Sequence, residues 1–216
     1  MRGLSFRLLL TWFICAVLTG LFAFVARSIH LQTITSFDES VIDLVQGTES
    51  PWLTTVMKIF TNVGSTSIVV LFSLTGLAWL YWKGYRAQAF LLVVVIAGTG
   101  IINQIMKFVF KRERPNFHRL IDIGGYSFPS GHTMMAFSLY TILAYIIWRN
   151  LRTTWGHVAV VSIATVMIMM IAVSRIYLGV HFPSDIVGGA LASGVWLIAS
   201  ISIYQHYQRK RQSTLT

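Results

Sequence analysis

Six stretches of this chain are long and apolar enough that a helix in lipid is the structure open to them. They run from Leu8 to Ala26, Thr66 to Trp82, Gln88 to Met106, Thr133 to Trp148, His157 to Ser174 and Ile186 to Ile203. A helix needs about 20 residues to cross the hydrocarbon core of a bilayer. Several of the runs fall slightly short, so their ends are expected to extend into flanking polar residues. Spans of a β-barrel would be shorter and would alternate polar with apolar residues, which these runs do not. A helix also satisfies its own backbone hydrogen bonds where no water can. The predicted fold is all-α: a single domain over residues 1–216, built as a six-transmembrane-helix bundle. Arg2 and Arg7 ahead of the first run resemble the start of a secretory signal, but that run is long enough to span and is read as a retained helix.

Charge sets the expected orientation. The net charge is +10, yet only 11% of residues are charged, and many of the basic ones stand in short clusters between apolar runs. That leaves no large soluble basic face, so a nucleic-acid partner is not expected. With the N-terminus in the cytoplasm, the cytoplasmic segments hold Arg2, Arg7, Lys83, Arg86, Arg149, Arg152, Arg209, Lys210 and Arg211, and no acid. All acidic residues (Asp38, Glu39, Asp43, Glu49, Glu113, Asp122 and Asp185) fall on the other side. This is the positive-inside pattern of a multi-pass cell-membrane protein with both termini cytoplasmic. The lone Cys15 lies inside the first run, has no intrachain disulfide partner and is read as structural.

The segment from Ser28 to Ser65 joins the first two spans. Phe37, Val41, Leu44 and Val45, then Trp52, Leu53, Val56, Ile59 and Phe60, recur at helical spacing. Short amphipathic helices in the interface are expected there, with Ser50 and Pro51 opening the second. They could border a lipid access route or simply cap the bundle.

Three polar clusters stand at the outer ends of spans. In the first, Lys107, Lys111 and Arg114 precede Pro115; if the stretch is helical they share a face, with Asn103 one turn earlier placed to orient Lys107. Positive charges on one face repel unless an anion sits among them. The competing reading, a basic flank, predicts the opposite side of the membrane. In the second, Pro129-Ser130-Gly131-His132 opens the fourth span. Ser130 can cap the helix, free N–H groups of a first turn bind phosphate, Gly131 permits close approach, and His132 can exchange a proton. A plain cap beside an interfacial histidine is the alternative. In the third, Arg175 is followed by His181 and Asp185, four residues apart and flanking Pro183. A carboxylate at that spacing can hold one imidazole nitrogen and leave the other free to attack. Alternatively the pair merely satisfies itself. Together the clusters supply positive charge, a helix N-terminus and two histidines, the parts that phosphoryl transfer requires. Zinc on His132, His181 and Asp185 is chemically conceivable, but the adjacent cations disfavour it, and no metal or other cofactor is expected.

These clusters resemble the signatures of the type-2 phosphatidic acid phosphatase superfamily, K-x6-RP, PSGH and SR-x5-H-x3-D. The first is matched by Lys107, Arg114 and Pro115, the second by residues 129–132, the third by Ser174, Arg175, His181 and Asp185. The resemblance implies a metal-independent phosphatase with His181 as nucleophile, Asp185 as its orienting partner and His132 as acid and base. Lys107, Arg114, Ser130, Gly131 and Arg175 would bind the phosphate, on the extracytoplasmic side. Lys111 and Asn103 are possible additions, and Arg112 and Arg119 are further basic residues near the site. In size and layout the chain is most similar to the bacterial phosphatidylglycerophosphate phosphatase B group, some of whose members act on undecaprenyl diphosphate. The substrate expected is thus a phospholipid or polyprenyl phosphate or diphosphate, drawn from the membrane without a required protein partner. A lipid phosphotransferase and a non-catalytic binding or transport protein are the rival readings.

Overall fold

The computed structural model describes residues 2–116 and 118–215, with side chains from 8 to 116 and from 118 to 210. The side chains of Arg2, Arg7 and Arg211 therefore lie outside the described residues. The order is α1 (Arg2–His30), α2 (Thr35–Gln46), α3 (Pro51–Val63), α4 (Thr66–Trp82), α5 (Arg86–Phe110), α6 (Gly131–Asn150), α7 (Thr154–Tyr177) and α8 (Pro183–Leu215). All the expected spans are helices, and most run past the apolar stretch into polar caps. Ser130 accepts from the Thr133 amide at 3.4 Å, and Thr153 from that of Gly156 at 3.2 Å. Such caps answer N–H groups that a helix start leaves unpaired.

Large apolar side chains point outward along the bundle, among them Trp12, Phe13, Phe24, Phe90, Phe108, Trp155 and Ile203. In water they would be an aggregation surface; in a bilayer they are the solvated face. The chain is a multi-pass membrane protein. Five helices are long and apolar enough to span alone, whereas α4 reaches that length only with α3, from which it turns by 49°. The second expected span is α4 itself, with the bounds read from sequence, and the short helix α3 meets it at a bend at Gly64–Ser65.

The interior is built on α5, α6 and α8, with Leu92, Val95, Ile142 and Leu197 buried between them. Lipid offers helices little hydrophobic drive to associate, so close packing and interhelical hydrogen bonds carry the contact. Gly98 leaves room for the ring of Trp196, whose indole donates to the Val95 carbonyl at 3.1 Å. Thr99 and Ser138 hydrogen-bond between α5 and α6 at 2.8 Å. Ser193 donates to the Met134 carbonyl at 3.3 Å, tying α8 to α6.

The short helices cap one end. Tyr177, at the end of α7, bonds through its hydroxyl to Thr54 at 2.9 Å and accepts from the Ser50 amide at 3.2 Å. Gln46 of α2 donates to the carbonyls of Tyr177 and His118. Ser50 and Pro51 open α3 as expected. The capping role has these contacts behind it, and the α3–α4 bend also borders the cavity described next. Gly179 turns the chain after α7 at φ +70°, a conformation open to glycine and strained for other residues.

Candidate active site

The C-terminal ends of α5 and α7, the N-terminal ends of α6 and α8, and the α3–α4 bend meet around a cavity of about 410 Å³. Its lining includes Lys107, Arg114, Gly131, His132, Arg175 and His181. Two larger grooves, between α1 and α8 and between α5 and α8, are lined chiefly by apolar residues. The convergence of charge separates the first cavity from these.

His181 is buried in the turn before α8. Its Nδ1 lies 3.1 Å from Asp185 Oδ2 and 3.3 Å from Ser127 Oγ. Its Nε2 lies 3.1 Å from Arg114 Nη1. A guanidinium only donates, so Nε2 must carry the lone pair. Ser127 gives its one hydroxyl proton to Asp185 Oδ2, so it can face Nδ1 only as an acceptor. Both contacts therefore require the proton on Nδ1, with the ring's lone pair left on Nε2. Burial pushes the His181 pKa well below the ordinary histidine value, and the Asp185 carboxylate only partly opposes this, which keeps the ring neutral.

Asp185 is held on every side. Besides His181 and Ser127, the Phe182 amide donates to Oδ2 at 2.9 Å and Arg112 Nη1 donates to Oδ1 at 2.7 Å. The backbone carbonyl of Asp185 accepts from the Ser130 amide at 3.1 Å, so the first turns of α6 and α8 are fixed to one another.

The cations are held by neutral groups. Lys107 donates to the Tyr126 carbonyl at 2.8 Å. Arg114 donates through Nη1 to the Val180 carbonyl at 2.7 Å and through Nε to that of Gly125 at 3.0 Å. Arg175 is 1% exposed and donates through Nη1 to Thr61 of α3. Its Nε and Nη2 have no hydrogen-bond partner among the described residues. A buried cation without a carboxylate is costly unless an anion compensates it.

Two expectations need correction. The helix does not continue to Arg114: α5 stops at Phe110, and Lys111 turns left-handed at φ +46°. Arg114 precedes Pro115, whose ring disfavours helix in the residue before it. Phe110 is packed edge-on against Phe22 and Phe128, which anchors the stop. Lys111 consequently leaves the Lys107–Arg114 face and is exposed, away from the cavity lining. Asn103 lines the cavity, but it donates to the Pro129 carbonyl at 3.2 Å rather than orienting Lys107. It steadies the turn that presents Ser130 and Gly131.

Comparison with known proteins gives the family. Residues 88–209 match the PAP2 superfamily. The phosphatidylglycerophosphatase B of Bacillus subtilis strain 168 is 33% identical over 171 residues, covering 78% of this chain and 83% of that protein. The chain belongs to the PAP2 superfamily. A candidate undecaprenyl-diphosphatase of Escherichia coli K12, YbjG, is 30% identical over 176 residues, covering 77% of this chain and 82% of that one. Among solved structures, the transmembrane PAP2-type phosphatidylglycerolphosphate phosphatase of Bacillus subtilis superposes with a TM-score of 0.81 at 28% identity, covering 91% of this chain and 96% of that one. LpxE of Aquifex aeolicus gives 0.62 at 25% identity, covering 75% of this chain and 93% of its own.

The PAP2 match contains all the cavity's charged residues, but not Asp38 or Thr61, which reach the site from α2 and α3. Neither was picked out from the sequence, nor were Ser127 and Ser184 as partners of the carboxylates. Arg112, read there as a basic residue near the site, points to Asp38 and Asp185 instead. A serine or aspartate at a helix end has many local uses, and no spacing links it to a partner 58 to 146 residues away.

Proposed function

We propose that this chain is a membrane lipid phosphatase that hydrolyses phosphatidylglycerophosphate to phosphatidylglycerol and phosphate through a phosphohistidine. The observation that carries the reading is Arg175: buried, without a carboxylate, and lining a cavity with two other cations and two histidines. His181 Nε2 attacks phosphorus while the bond to the lipid oxygen breaks, and His132 gives that oxygen a proton. Water then attacks the phosphohistidine, passes its proton to His132, and phosphate departs with the Nε2 lone pair restored. Asp185 holds the Nδ1 proton throughout. Lys107, Arg114, Arg175, the Ser130 hydroxyl and the Gly131 amide balance charge on the phosphoryl oxygens. The charge that a metal ion would bring is thus supplied by side chains, and turnover needs no metal. The nine Lys and Arg, with no acid among them, in the segments opposite the cavity support an extracytoplasmic site with both termini in the cytoplasm.

The similarity to an undecaprenyl-diphosphatase candidate favours undecaprenyl diphosphate as a second substrate. The deciding assay is phosphate release by detergent-solubilised protein with EDTA present, using phosphatidylglycerophosphate, undecaprenyl diphosphate and phosphatidic acid. Release is expected to survive EDTA and to vanish in His181→Ala, and the ranking of lipids selects the substrate. Activity in folded His181→Ala, or loss with EDTA, would overturn the mechanism.

A further inference from the structure

Behind Asp185 lies a second charged array that the reaction steps above do not use. Asp38, in the first turn of α2, is 1% exposed. Its Oδ1 accepts from the Ser184 amide at 2.8 Å, and its Oδ2 accepts from the Ser184 hydroxyl at 2.6 Å and from Arg112 Nη2 at 2.8 Å. Arg112 spends its other terminal nitrogen, Nη1, on Ser184 Oγ and Asp185 Oδ1, each at 2.7 Å. Its guanidinium also lies 4.0 Å from the centre of the Phe182 ring. One guanidinium therefore bridges two buried carboxylates, one terminal nitrogen to each, and one of them holds the nucleophile.

The chemistry of this arrangement is specific. An arginine fork fixes direction as well as charge, which lysine cannot reproduce. Asp38 supplies a carboxylate to the N-terminus of α8, where a negative charge is favoured and where the Ser184 N–H would otherwise be unpaired. It does so from a different helix. On α2 the residues buried are Asp38 and Ile42, whereas Phe37 and Leu44 point outward. The acid is thus a main point of attachment between α2 and the catalytic turn.

We propose that Asp38 and Arg112 are positioning residues for the nucleophile: docking of α2 through Asp38 sets Arg112, which sets Asp185 and through it the His181 ring. This rests on the reading of His181 as the nucleophile. Removing Asp38 leaves Arg112 one carboxylate short and free to turn. Removing Arg112 sets two buried carboxylates against each other across Ser184, a larger insult.

The test measures phosphohistidine formation in a single turnover, together with kcat, KM and the thermal midpoint, in D38N, R112K and D43N. D38N keeps the shape and the Oδ1 acceptor but loses the ion pair. D43N makes the same charge change at an exposed position of the same helix. A misplacement of about 1 Å in a reacting group costs about 100-fold. D38N and R112K are expected to slow phosphohistidine formation by about 10- to 100-fold with KM within about twofold, while D43N matches the wild type. Wild-type rates in D38N would overturn the proposal. So would a loss that tracks the fraction of unfolded protein, or one that D43N shares. His181→Ala is run alongside: activity there would sink the nucleophile assignment itself, whereas wild-type rates in D38N with a dead His181→Ala would sink the positioning role alone.

Discussion

Replacing Arg175 with methionine should make the protein more stable and nearly inactive at once. The guanidinium is buried, its Nη1 is satisfied by Thr61, and its Nε and Nη2 are unpartnered. Each unpaired buried donor costs about 1–3 kcal/mol, so the two cost the folded state about 2–6 kcal/mol. Methionine has similar reach and fills irregular space well, but it leaves the Thr61 hydroxyl without its bond, an offset of about 1 kcal/mol. The net gain is then about 1–5 kcal/mol, overlapping the roughly 1–4 kcal/mol found when buried ion pairs give way to apolar groups. At about 2–4 °C per kcal/mol for a chain of this size, the thermal midpoint rises by several degrees. On the activity side, two hydrogen bonds to phosphoryl oxygens at about 1.5–3 kcal/mol each are lost. That corresponds to a fall in kcat/KM of about 150- to 25,000-fold. Tryptophan-fluorescence melting in detergent and phosphate release on the same preparation read both quantities. Orthovanadate should raise the midpoint of the wild type and leave that of R175M nearly unchanged. A variant less stable than the wild type, or one within about tenfold of wild-type kcat/KM, would refute the idea that this cation is held ready for an anion.

Two further outcomes are expected. Thr99→Val removes the Thr99–Ser138 bond between α5 and α6 while keeping the side-chain shape, and should cost about 0.6–1.7 kcal/mol in an SDS unfolding titration with kcat unchanged. A loss of activity at full stability would mean that this contact serves the site. The buried neutral His181 should make the protein acid-sensitive. Its folded pKa lies below the ordinary value of about 6.5, so the unfolded chain takes up the proton first as pH falls. The stabilisation is present above about pH 6.5 and is lost below it, by up to about 1.4 kcal/mol per pH unit. Unfolding midpoints for the wild type should therefore fall more steeply between about pH 6.5 and 5 than those of His181→Asn, and parallel curves would contradict the assignment.

The parts of this molecule that were legible in sequence are those governed by local periodicity. The spans announce themselves by length and apolarity. Ser130 as a cap and Pro51 and Pro183 as helix openers follow from what those residues do to a first turn. The His181–Asp185 pairing follows from their spacing across a helix start. The failures have a common origin in long-range contacts. Whether the stretch after Phe110 stays helical was settled by aromatic packing on Phe22 and Phe128 and by the pull of Asp38 and Asp185 on Arg112. Asn103 and Lys107 are spaced to interact, yet the Pro129 and Tyr126 carbonyls from another segment take their hydrogen bonds. The second span has the bounds that its apolar run gives, Thr66–Trp82, but hydropathy does not reveal the 49° bend between it and the preceding short helix.

The contact between Arg114 and His181 Nε2 has a consequence for which esters can react. On the proposed phosphohistidine mechanism, the lone pair that attacks is already engaged by a guanidinium at 3.1 Å, so the nucleophile is latched until something draws that guanidinium away. A terminal phosphate carries up to two negative charges and can outbid an imidazole for the arginine. The phosphodiesters that make up the surrounding bilayer carry one charge and are blocked by a substituent on each side. Selection then operates by displacement: the group whose charge unlocks the histidine is the group it attacks, and a site immersed in phosphodiesters stays closed to its own solvent.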